Sequence, residues 1–163
     1  MNLITINDIK ITMAMLLGKD VFNKFLLDEA EVMTYAKLTL NGRRNMKWYD
    51  TEEIERGLSE FIKWGEIRQI FFDYIKGSKT PEYFKVSLKA DDIVAKQMLE
   101  DSGCYDKYVS LGMQLHMQIR YGNDVLQIVT GVYNSQFTMD KTVENAWDNA
   151  VKEWIKALGI SFE

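Results

Sequence analysis

The stretch LGMQLHMQIRYGNDVLQIVTGV, residues 111–132, decides how this chain folds. Leu111, Met113, Leu115, Met117, Ile119 and Tyr121 alternate with Gln114, His116, Gln118 and Arg120. A period of two is the mark of a strand with one buried face. Gly122-Asn123-Asp124 turns the chain, and Leu126, Ile128 and Val132 continue the apolar face on the return. The expectation is an antiparallel hairpin with Met113, Met117, Ile119, Leu126 and Ile128 toward the core. His116 then stands on the opposite face, in solvent.

The same reading extends in both directions. After Pro81, the only proline, Phe84, Val86, Leu88 and Ala90 alternate with Tyr83, Lys85, Ser87 and Lys89, a second half-buried strand. Upstream, Phe25 to Leu40 alternates throughout and predicts one long strand, with Ala30, Val32, Thr34, Ala36, Leu38 and Leu40 on one face. Asn41-Gly42 is a hairpin signal, and a three-residue loop there sets Leu38 opposite Met46 and Ala36 opposite Trp48. A short strand is expected over residues 2–6.

Between the strands the period changes to that of a helix. Ile9, Thr12, Met13, Leu16 and Leu17 share a face, with Asn7 or Asp8 as cap and Gly18 as a left-handed end. Asp50 and Glu53 have capping-box spacing ahead of a broken helical stretch that runs to Lys76. Its stripe is Trp64, Ile67, Ile70, Phe71, Tyr74 and Ile75. Asp91 or Asp92 caps a helix carrying Val94, Met98 and Leu99. Asp140 opens the last helix, with Val143, Ala146, Trp147, Ala150, Val151, Trp154 and Leu158 in one stripe, closed by Gly159.

The order β-α-β-β-α-β-α-β-β-α predicts an α+β fold, a largely antiparallel sheet with packed helices, rather than a doubly wound one. The chain is expected to form one domain over residues 1–163. Residues 2–49 and 84–133 each read strand, capped helix, strand, turn, strand. Such a β-α-β-β pseudo-repeat resembles, in element order alone, one domain of a sliding DNA clamp.

Composition narrows the chemistry. One histidine, His116, and one cysteine, Cys104, stand among 163 residues. Zinc sites and most nucleophile–base pairs draw on several such groups. No catalytic set, metal set or cofactor is therefore expected. Formal net charge is −4, so no global field attracts phosphate backbones or anionic lipid. An unpaired cysteine suits a reducing compartment, and Asn7, Asp8 and Lys10 interrupt the first apolar run. A cytoplasmic location without a membrane span is the expectation.

A few surfaces merit attention. Arg43, Arg44 and Lys47 are interleaved with Trp48 and Tyr49, the basic-plus-aromatic mixture that single strands of nucleic acid exploit. Hairpin tips are also routinely basic. Gly77-Ser78-Lys79-Thr80 ends like a phosphate-binding loop, but Asp73 stands where such a loop requires glycine. A basic connection in which Lys76 and Lys79 meet the preceding helix's free carbonyls explains it better. Glu29 and Glu31 share a strand face and read as solvated acids. Trp147 and Trp154, seven residues apart, read as core, with an exposed hot-spot pair as the rival.

Several stretches together resemble an uncharacterised family of small bacterial proteins about this length. They are FLLDEAEV (25–32), YDTEE (49–53), IKGSKTPEYFKV (75–86), IRYGNDVLQIVTG (119–131) and FTMDKTVENAWDN (137–149). The resemblance implies a single intact domain and carries no activity, substrate or cofactor. The leading functional expectation is a non-enzymatic module for a protein partner or for self-association. Arg43, Arg44, Lys47, Trp48, Lys76 and Lys79 are its candidate binding residues. The alternatives are a clamp-like nucleic-acid domain using Lys10, Lys19, Lys89 and Lys96, and a small-molecule enzyme built on carboxylates and lysines.

Overall fold

The computed structural model describes residues 1–77 and 79–163. Its strands are β1 (Asn2–Ile6), β2 (Leu26–Met33), β3 (Lys37–Asn41), β4 (Tyr83–Lys89), β5 (Gln114–Gly122) and β6 (Val125–Tyr133). Its helices are α1 (Ile9–Gly18), α2 (Thr51–Glu55), α3 (Trp64–Ile75), α4 (Asp92–Leu99), α5 (Tyr105–Ser110) and α6 (Thr142–Ala157). All six strands join one antiparallel sheet in the order β1-β6-β5-β4-β2-β3. This is an α+β fold.

The central hairpin has the expected turn and faces. Gly122 pairs with Val125, and Asn123 and Asp124 lie at φ 51° and 60°, the left-handed pair a two-residue turn requires. Met113, Met117, Ile119, Leu126 and Ile128 are buried. They meet Leu16, Phe22, Trp64, Phe71, Leu99, Val143, Trp147 and Val151 in one core. The other sheet face bears Glu29, Glu31, Lys85, Ser87, Lys89, His116, Gln118 and Arg120. Lys85 reaches Glu29 at 3.5 Å and Glu31 at 3.4 Å, and Lys37 reaches Glu31 at 2.9 Å. Gln118 donates to Ser87 at 3.1 Å. Glu29 and Glu31 are thus paired across strands rather than simply solvated, and Lys37 holds the Glu31 carboxyl below its ordinary range.

The long strand over Phe25–Leu40 is instead two. Met33 pairs with Lys37, so the chain reverses through Thr34, Tyr35 and Ala36, and Ala30 faces Leu40 while Val32 faces Leu38. Asn41-Gly42 is not a hairpin turn, and Leu38 and Ala36 do not face Met46 and Trp48. Gly42 instead marks where the chain leaves the sheet beside β2: its N–H donates to the Asp28 carbonyl at 2.8 Å, and its own carbonyl accepts from Ile62.

Several helix ends also differ. Asp8 makes no cap bond with α1; its carboxylate accepts the Ser161 N–H instead. Gly18 is the last residue of α1 and is not left-handed. Asp50 and Glu53 form the expected capping box, and Asp91, not Asp92, caps α4 through the Val94 N–H. Ile70 on α3 is half exposed rather than part of the buried stripe. Leu111 and Gly112 follow an additional helix, α5, so β5 starts at Gln114. Asp140 lies just ahead of α6, where its carboxylate accepts from Thr142.

The pairing does not carry the clamp-like two-fold. Exchanging the two halves maps β4–β5 onto β1–β2, which are not neighbours, and β1–β6 onto β4–β3, which are not neighbours either. Helices α1 and α4 have different partners, α3 and α6 respectively.

Candidate functional site

Residues 42–63 leave the sheet after β3 and return beside the start of β2, where Lys63 bridges to Leu26 and Phe61 to Arg43. The excursion holds a 3-10 turn over Met46–Trp48, capped by the Asn45 side chain, and then α2. Four of the six predicted binding residues lie here, with different roles. The Arg44 side chain is only 8% exposed. Its guanidinium donates to the Ser59 carbonyl at 2.9 Å and the Tyr49 hydroxyl at 2.9 Å, and it meets Glu66 at 3.3 Å. Arg44 braces the excursion. Arg43 pairs with Glu60 at 2.6 Å and lies over the Phe61 ring at 5.2 Å. Lys47 is exposed, and Trp48 is 83% exposed, with Met46 and Ile54 also facing solvent.

Lys76 and Lys79 line a separate cleft of about 580 Å³ with Thr34, Tyr35, Tyr74 and Thr80. Lys76 pairs with Asp73 at 3.4 Å rather than with a helix carbonyl. Tyr74 donates to the Ala36 carbonyl and lies 5.6 Å from Tyr35, joining the α3 end to the β2–β3 turn. The segment runs from helix to strand, as expected; Ser78 itself lies outside the described residues.

His116 is on the polar sheet face, as the alternation requires, but it is not solvated. Its ring is half-buried, and Nε2 is shielded with no hydrogen-bond partner among the described residues. Across the strands Lys89 pairs with Asp28 at 3.2 Å and lies 3.7 Å above the Phe61 ring. Burial, then the Lys89 charge, lower the His116 pKa, and Asp28 opposes them weakly. No cluster of three or more His, Cys, Asp or Glu residues suits a metal ion among the described residues.

One concavity had no counterpart in the sequence reading. Between α4 and α6 lies a cleft of about 490 Å³, in the range of small-molecule sites. On α6 the row Val143, Trp147, Val151 and Ile155 is fully buried. The adjacent row Ala146, Ala150 and Trp154 is half-buried and forms the cleft floor with Met98. Two alanines one turn apart beside a tryptophan were its only trace in the sequence. Trp147 is therefore core, and its indole N–H donates to the His116 carbonyl at 2.9 Å. Trp154 packs against the core on one side and lines the cleft on the other.

The fold and these surfaces define an α+β protein on a six-stranded antiparallel sheet. No helix among the described residues is long and apolar enough to cross a membrane. The chain belongs to the family of unknown function DUF5721, whose model matches residues 15–163. No curated protein and no solved structure matches it.

Proposed function

We propose that the chain is a non-enzymatic protein-interaction module, with the excursion between β3 and α3 as its contact surface. Trp48, at 83% exposure on a braced segment, carries this reading. Burying a large apolar side chain is worth about 3 kcal/mol, and the fold leaves that gain unused. Tryptophan and arginine dominate binding hot spots. A segment already fixed by Arg44, Ser59, Tyr49 and Glu66 loses little freedom when a partner docks. Charge favours a protein over a polyanion. Residues 42–60 hold four cations (Arg43, Arg44, Lys47, Arg56) against five carboxylates (Asp50, Glu52, Glu53, Glu55, Glu60). Arg43, Arg44 and Arg56 each face a carboxylate.

The test places a photoreactive benzophenone side chain at position 48 of the full chain, in the cells that make it. Position 93 on α4, where Ile93 is also exposed, serves as the control. A discrete adduct from position 48, with another protein or a second copy, and none from position 93, is the expected result. No adduct from 48, or the same adducts from both positions, would overturn the reading.

A further inference from the structure

The geometry points to a second site, independent of the excursion: the α4–α6 cleft binds a small organic cation with an apolar body, seated on Trp154. The cleft exists because Ala146 and Ala150 leave a gap beside Trp154 that α4 does not fill. The Trp154 ring is held by edge contacts to Phe22 at 5.0 Å and to Phe25 at 5.3 Å. An apolar ligand on this floor meets a rigid surface rather than a mobile one.

The rim selects the charge. Asp101, just beyond the end of α4, and Glu153 on α6 both line the cleft, and Glu153 also pairs with Lys156 at 3.0 Å. Among the described residues the one cation in the lining is Lys24, whose ammonium lies 5.7 Å from the Trp154 ring centroid and 5.7 Å from that of Phe25. Lys24 is thus a tethered cation over the aromatic floor, the position an incoming ammonium would take. A free organic cation must displace it. This makes the sign of each substitution specific: removing the tethered cation opens the site, and removing either rim carboxylate weakens it.

The indole N–H resonances of the full-length protein report on this directly. There are four tryptophans, and Trp64 and Trp147 donate to the Leu16 and His116 carbonyls inside the core. Trp154→Phe assigns the remaining cleft signal against exposed Trp48. Titration with hexyltrimethylammonium should shift the Trp154 resonance saturably at millimolar concentration and leave Trp64 and Trp147 in place. Hexanesulfonate, with the same chain and opposite charge, should not. Lys24→Met should tighten binding about threefold, and Asp101→Asn with Glu153→Gln should weaken it about fivefold, the scale of exposed cation–π and ion-pair contacts. Four results would each overturn the site: no saturable shift, equal binding of the sulfonate, weaker binding by Lys24→Met, or unchanged binding by the carboxylate double variant. None of them bears on position 48.

Discussion

His116 is the side chain on the outer sheet face whose charge the fold opposes. Burial and the neighbouring Lys89 hold its pKa below the ordinary value of 6.5. A lowered folded-state pKa means that the unfolded chain takes up the proton first as pH falls. The part of the stability linked to His116 is therefore complete above about 6.5 and declines below it, until the pH reaches the folded-state value. Denaturant midpoints at pH 7.5 and 5.5 check this. The native chain should lose stability across that interval, and His116→Gln, which has no such proton, should lose less. Equal losses would show that the imidazole is free to charge in the folded state. The residue's face was legible from the alternation of Leu115, His116 and Met117. Its surroundings were not, because Lys89 and Asp28 come from other parts of the chain.

At the scale of elements, the β2–β3 reversal shows where a periodic pattern stops being informative. Paired residues in this hairpin share parity: Ala30 with Leu40, Val32 with Leu38. A loop of odd length keeps the apolar alternation in step through the turn, so Phe25–Leu40 reads as one strand although it is two. Polar turn residues would have broken the pattern, but Thr34, Tyr35 and Ala36 do not. The β5–β6 turn was legible because Gly122-Asn123-Asp124 announces it chemically. The Asn-Gly pair at Asn41-Gly42 serves a different need. A Cβ on Gly42 would lie 1.7 Å from the Leu27 carbonyl oxygen, so the glycine permits the backbones to touch where the excursion leaves the sheet. Gly42→Ala should cost ~3 kcal/mol or more, because both colliding groups are main chain and neither can rotate away. Gly18→Ala is the contrast: nothing lies within 4 Å of its added methyl, and helix propensity favours it by about 0.5–1 kcal/mol. Chemical denaturation of the two variants separates them, and a Gly42→Ala protein as stable as the native chain would refute the close approach.

For the molecule as a whole, composition and local pattern indicated an antiparallel α+β fold, whereas the order of its strands arises from contacts far apart in sequence. That order settles the arrangement of the lysines. A clamp-like domain needs α1 and α4 side by side, with Lys10, Lys19, Lys89 and Lys96 on one concave face. Here α1 packs on α3 and α4 on α6. Lys89 is on the polar sheet face with Asp28, and Lys96 lies 5.9 Å from the Tyr105 ring. Phosphate binding depends on several cations converging, since each neutralised phosphate releases one condensed counterion. With a net charge of −4 and these four dispersed, the protein should give no anisotropy change with labelled single- or double-stranded DNA even at ~50 mM salt. A salt-sensitive change abolished by Lys10→Glu with Lys96→Glu would mean that these lysines act together despite their separate helix pairs. It would also move the contact surface away from Trp48. Without such a change, the exposed tryptophan, the braced excursion and the mixed charge around it remain the features that a protein partner would recognise.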